Sequence, residues 1–183
     1  LNCMSQKVVW DKGISYEEFK QWLTEQIVNR YPPKNKRDEV QFVYYSILAI
    51  QLANGLRISE AVEAFKKWVN GSERSFDVRV RKKRRVEEYV PTRIPNILED
   101  EWKWVYREYA EIDDTTLIKR IKSWASKHKH NTHSVRYSWI TYQLICGENP
   151  ALVAKAVRHS KMDMILRYAQ KLEADKLRFK DEW

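Results

Sequence analysis

Two cysteines in 183 residues, Cys3 and Cys146, leave no basis for a disulfide framework or a cysteine-rich zinc site. That scarcity makes an intracellular compartment the default expectation. No apolar run approaches the roughly 20 residues of a membrane-spanning helix, and no signal peptide opens the chain. Internal repeats and low-complexity tracts are missing too, which excludes solenoids and compositionally biased linkers. Acidic residues are missing from one long window. Between Thr115 and Gly147 there are none, whereas Lys119, Arg120, Lys122, Lys127, Lys129 and Arg136 all fall there.

What is present is an apolar fraction of 43%, enough for one domain with a real core. Lys and Arg outnumber Asp and Glu by 34 to 25, a formal charge of +9 that suits a polyanionic partner. The stretch from Glu99 to Asp114 is acid-rich, so one basic face and one acidic face are expected. Two ordinary solvated helix faces account for the charge pattern equally well. Residues 1–13 read as a leader or linker and residues 14–183 as the folded domain, ending in a helical tail at about 172–183. The start at Leu1 suggests a piece of something longer.

The pattern along the chain is mainly helical. Ser15 and Glu18 have the spacing of a capping box ahead of Phe19, Trp22, Leu23 and Ile27. A second helix is expected from Asp38, apolar on nearly all sides and therefore central, closed by Asn54-Gly55 as a left-handed C-cap. Ser59 is expected to cap the next helix, with Val62, Phe65 and Trp68 or Val69 inward. Phe76, Val78 and Val80 alternate with charged residues at strand spacing. Lys82–Arg85 is a basic turn, and Tyr89, Val90, Thr92 and Ile94 form the return strand, with Pro91 marking an edge. Helices are expected again over Leu98–Ala110 and Thr115–Lys127, after Thr132, and from Asn149-Pro150. Ser160 and Asp163 have capping-box spacing before a last helix through Tyr168. The fold class is thus mainly α with a small antiparallel β-hairpin.

Several side chains suit phosphate chemistry. Arg57 stands at a helix N-terminus, where free backbone N–H groups already favour an anion. Its guanidinium can hold a phosphate through two parallel hydrogen bonds. His133 and Arg136, three apart on a helix, face the same way and add a second fork and a proton-transfer group. Tyr168 follows His159 by nine residues. A phenol with a reference pKa of about 10 is a poor nucleophile unless cations stabilise the phenolate, a role open to Arg57, Arg136 and His159. His128, His130 and His133 fit no closed zinc pattern. Each signal alone has an ordinary explanation as a surface arginine, a polar helix face or a packed tyrosine. Their joint order does not.

The run Gly55-Leu56-Arg57-Ile58-Ser59-Glu60-Ala61, a basic hairpin, His133-x-x-Arg136, His159-Ser160 and Tyr168 resembles the tyrosine recombinase (integrase) family. The resemblance covers roughly residues 14–170 and matches that family's catalytic domain. It implies site-specific DNA cleavage and rejoining through a 3′-phosphotyrosyl intermediate. The implied catalytic set is Arg57, Lys83, His133, Arg136, His159 and the nucleophile Tyr168. Glu60 is implied as the acidic support, and Lys82 remains an alternative to Lys83. Arg81, Arg84, Arg85, Lys127 and Lys129 are the expected DNA contacts. No metal or cofactor is implied. The implied partners are double-stranded DNA and further copies of the chain, as a tetramer on DNA in the cytoplasm or nucleoid of a prokaryotic or archaeal host, with no membrane. Arg158 stands where the family usually has glycine, and Tyr137 where histidine is frequent. The family's N-terminal DNA-clamping domain is expected to be absent. The compact layout is similar to integrases of archaeal viruses or plasmids. The competing readings are a type IB-like topoisomerase and a non-catalytic DNA-binding regulator on the same scaffold.

Overall fold

Apolar residues on every side of one helix make it the axis of the fold. The structure, a computed structural model, describes residues 15–80, 88–158, 163 and 165. Helix α2 (Lys36–Asn54) buries every residue from Phe42 to Leu52. Each fully buried Phe, Ile or Leu of that run contributes about 1.5–3 kcal/mol. Around α2 pack α1 (Tyr16–Val28), α3 (Ile58–Asn70), α4 (Lys103–Ala110), α6 (Thr132–Ile145) and strand β2 (Tyr89–Arg93). Helix α5 (Asp114–Lys127) lies against α3, and α7 (Pro150–Ala156) against α6.

Strand β1 (Ser75–Arg79) pairs antiparallel with β2, with Ser75 opposite Arg93 and Arg79 opposite Tyr89. Among the described residues this two-stranded sheet has no further partner, so both strands are edges and Pro91 is tolerated opposite Asp77. The sheet is docked by Asn54. Its side-chain amide donates to the Arg93 carbonyl at 2.8 Å and its oxygen accepts from the Arg93 N–H at 3.0 Å. The architecture is therefore mainly α with a small antiparallel sheet. No described helix is long and apolar enough to cross a membrane.

The core has two parts. The larger centres on α2 and includes Trp68, Tyr106 and Val135; the smaller joins Tyr137, Ile140 and Leu144 of α6 to Val153, Ala154 and Val157. Helix α6 belongs to both. Its residues therefore bridge the main body and α7, which matters for the site.

Several expected helix starts differ in the structure, and capping bonds account for those of α2, α3 and α5. Helix α2 begins at Lys36 rather than Asp38, because the Asn35 side chain accepts the Asp38 N–H at 2.9 Å. Arg57, not Ser59, occupies the N-cap of α3, and the Glu60 carboxylate takes its N–H. Ser15 does stand at the N-cap of α1, but its side chain makes no capping bond, so the expected box does not form. The segment from Leu98 starts as a short 3-10 turn (Asp100–Trp102) before α4. Asp113 caps α5, which begins one residue earlier than expected. Of the expected Ser160–Asp163 box and last helix, only Asp163 and Ile165 are described, both helical; Ser160 and Tyr168 lie outside the described residues.

Gly55 ends α2 with φ 63°, and a Cβ placed on it would lie 2.5 Å from Trp139 Cε3 and 2.7 Å from Cδ2. Gly55→Ala should therefore meet two penalties. The left-handed backbone costs roughly 1–2 kcal/mol. Displacing a packed indole adds about 1–3 kcal/mol. The check is the urea midpoint of the variant against the parent chain; an unchanged midpoint would mean that α6 does not close on this turn.

Candidate active site

The Gly55–Arg57 turn is held from several sides. The Gln51 carbonyl accepts the N–H groups of Gly55 and, at 3.1 Å, of Leu56. One carboxylate oxygen of Glu60 accepts the Arg57 N–H at 3.1 Å, and the other accepts from Arg57 Nη1 at 3.0 Å. Glu60 is fully buried in the first turn of α3, where the free N–H groups of the helix favour a negative charge. Backbone and side chain of Arg57 are thus fixed by one acid three residues on.

Arg136 arrives from the other end of the chain. Asn131 starts α6 by accepting the Ser134 N–H at 2.6 Å, and the helix carries Arg136 inward to 2% exposure. Its Nη1 donates to the Gly55 carbonyl at 3.1 Å and its Nη2 to the Val157 carbonyl at 2.8 Å. Arg57 donates to the same Val157 carbonyl at 3.4 Å and to the Arg158 carbonyl at 3.0 Å. Both guanidiniums therefore close on the carbonyl end of α7, where cations are favoured. Glu60 stands behind them, with one oxygen 3.9 Å from Arg136 Nη1. Burial, and then the neighbouring Arg57 charge, push the Arg136 guanidinium down to about 10, while Glu60 opposes the shift. Arg136 stays charged at neutral pH. Two guanidiniums against one carboxylate leave a net positive site.

A cavity of about 830 Å³ opens on this pair, and Gln51, Ser59, Lys122 and His133 also line it. His133 is exposed on the first turn of α6, its ring 4.5 Å edge-on from that of Tyr137. Arg57, Glu60, His133 and Arg136 are therefore brought together from two distant stretches. Lys127 and Lys129, at the C-terminal end of α5, are exposed and do not line the cavity. His128 contacts the Trp124 carbonyl at 2.8 Å, and His130 packs 5.1 Å from the Trp22 ring, so these two histidines make their contacts away from His133. Arg81, Lys82, Lys83, Arg84, Arg85, His159 and Tyr168 lie outside the described residues.

Arg158 has φ 54°, the left-handed region that glycine adopts without penalty. Here the arginine side chain offsets the strain, donating to the Lys155 carbonyl at 2.6 Å and to the Tyr89 carbonyl at 3.0 Å. Lys122 and Gln51 line the cavity although no sequence motif marks them as site residues. Gln51 left a trace in the sequence, as the lone amide in the apolar run from Ile47 to Leu52. Lys122 had only its place in the acid-free window.

Comparison with known proteins gives two relatives. The protein named "Putative integrase ORF241" of Acidianus two-tailed virus is 34% identical over 169 residues, which span 92% of this chain and 67% of that protein. The chain belongs to this integrase-like family. A second member of the comparison, the uncharacterized protein MJ0770 of Methanocaldococcus jannaschii, is 28% identical over 190 residues, covering 88% of this chain and 83% of that protein. No protein-family model matches the chain, and no solved structure does. The integrase-like chain is thus placed by similarity over 92% of its own length, and it carries one buried arginine, Arg136, beside a half-buried one, Arg57.

Proposed function

We propose that this integrase-like chain is a tyrosine recombinase that cleaves and rejoins double-stranded DNA through a 3′-phosphotyrosyl intermediate. The observation that carries the reading is the convergence of Arg57 and Arg136 on one open cavity shared with His133. A phosphodiester seated there would meet two guanidiniums already fixed through their Nη atoms on backbone carbonyls, with their remaining N–H groups left to donate. Fixed donors of this kind stabilise the charge that builds up on a pentavalent phosphorus without reorganising during the reaction.

The roles follow from the chemistry. The Tyr168 oxygen attacks phosphorus, and its proton passes to His133 or to solvent. The bond from phosphorus to the 5′ oxygen breaks, and Lys83, or its neighbour Lys82, gives that oxygen a proton. His159 donates to a non-bridging oxygen. The diester energy is retained in the tyrosyl link, so the 5′-hydroxyl of a second strand can reverse the step without ATP. Exchange between two duplexes calls for further copies of the chain on the same DNA.

The test is a nicked suicide duplex, whose short 5′-hydroxyl fragment diffuses away and traps the covalent complex. A protein–DNA adduct is expected, with the DNA mapped by peptide mass to Tyr168. An adduct on another residue would displace Tyr168 as the nucleophile, and no adduct would remove the cleavage reading.

Binding is expected to rest on phosphate contacts from the hairpin arginines and the exposed cations of α5. With 6–10 such contacts, affinity should fall by about 10³–10⁵ between 50 and 200 mM salt. Fluorescence anisotropy across that range reads the slope. A flat response would mean that the basic face is only solvated.

A further inference from the structure

Gln51 is the one amide in the apolar run of α2 from Ile47 to Leu52, and it is 1% exposed. Its Nε2 donates to two backbone carbonyls, Leu56 at 3.0 Å and Thr132 at 2.7 Å. Two acceptors at one end of the amide require the NH₂ group there, which settles its orientation. The cost is Oε1, buried and without a hydrogen-bond partner among the described residues. Core filling does not account for that arrangement, since a methionine of similar shape would fill the space without stranding a side-chain oxygen. The two N–H bonds do account for it. Leu56 immediately precedes Arg57, and Thr132 opens the helical turn that carries His133 and Arg136.

We propose that Gln51 is a positioning residue: its amide sets the spacing between the Arg57 turn and the first turn of α6, so that both guanidiniums address the same phosphate. This rests on the cleavage reading above.

The experiment uses the full chain and the nicked suicide duplex. Single-turnover adduct formation is measured at saturating DNA, and the dissociation constant separately. Gln51→Met should bind DNA as the parent does and form adduct slower by about 10²-fold, the scale of a misplacement near 1 Å. In an Arg57→Ala background the same substitution should add almost nothing, because the group to be positioned is gone. Parent-like adduct formation by Gln51→Met, or an undiminished loss in the Arg57→Ala background, overturns the proposal.

If Gln51→Met does not fold, Gln51→Glu replaces it. A protonated carboxyl can still donate to one carbonyl, so adduct formation should fall as pH rises and that proton is lost, unlike the parent's. A pH profile parallel to the parent's overturns the proposal. A parent chain that forms no adduct removes the cleavage reading and this inference together. A competent parent beside an unaffected Gln51→Met removes the inference alone.

Discussion

Tyr168→Phe should bind DNA as the parent chain does and form no covalent adduct on the suicide duplex. The substitution deletes one oxygen and keeps the ring, so packing and DNA contacts are conserved while the nucleophile is gone. The expected loss is complete, because the phosphotyrosyl link cannot form without that oxygen. It differs in kind from removal of a charge-stabilising donor, which leaves a slower reaction. Denaturing gel electrophoresis of labelled DNA after long incubation reads the result. An adduct formed by Tyr168→Phe would move the nucleophile elsewhere. Tyr89, exposed at the start of β2, and Tyr142, stacked on Tyr16 at 4.2 Å, would then be the tyrosines to map first.

Arg136→Ala should slow adduct formation by about 10²–10³, the usual effect of losing one preorganised donor to a developing oxyanion. It should also destabilise the chain, which the equivalent change at Arg57 should do less. The physical difference is burial. The Arg136 side chain is 3% exposed and that of Arg57 27%. Deleting Arg136 strips the Gly55 and Val157 carbonyls of a buried donor and leaves the Glu60 carboxylate with one cation instead of two. Breaking a buried charge cluster from one side costs about 3–5 kcal/mol. Arg136→Lys should restore part of the stability and little of the rate. A single ammonium can carry the charge but cannot span two carbonyls and a phosphate. Urea denaturation and the adduct assay, run on the same preparations, separate the two effects. A parent-like rate in Arg136→Ala would remove this guanidinium from the reaction.

Much of the local structure was legible because it depends on short-range physics. The apolar girdle of α2 announced a buried axis, and Asn54-Gly55 announced its left-handed end. Alternation at Phe76, Val78 and Val80 announced a strand, and Asn149-Pro150 a helix start. The misplaced starts share a cause. Ser, Asp and Asn can all cap, and nothing local ranks Asn35 above its neighbours or lets an acid such as Glu60 serve an arginine at the cap. The acid-free window was legible as charge but not as two environments. Lys119, Arg120, Lys122, Lys127 and Lys129 are exposed, whereas Arg136 is buried. Position on α6 decides that, since its inner side packs against both parts of the core.

Composition and periodicity by themselves determined the helical class, the small hairpin, the basic bias and the order of the candidate motifs. Tertiary structure alone decided that Arg57 and Arg136 share a cavity, with Gln51 bracing both segments and Val157 accepting from both guanidiniums. Apart from the Gln51–Leu56 bond, those contacts join residues 21 to 101 apart in the chain. Most end on backbone carbonyls. Every residue has a carbonyl, so no side-chain pattern marks the ones that a buried arginine will find. Only the packing of α2, α6 and α7 selects them.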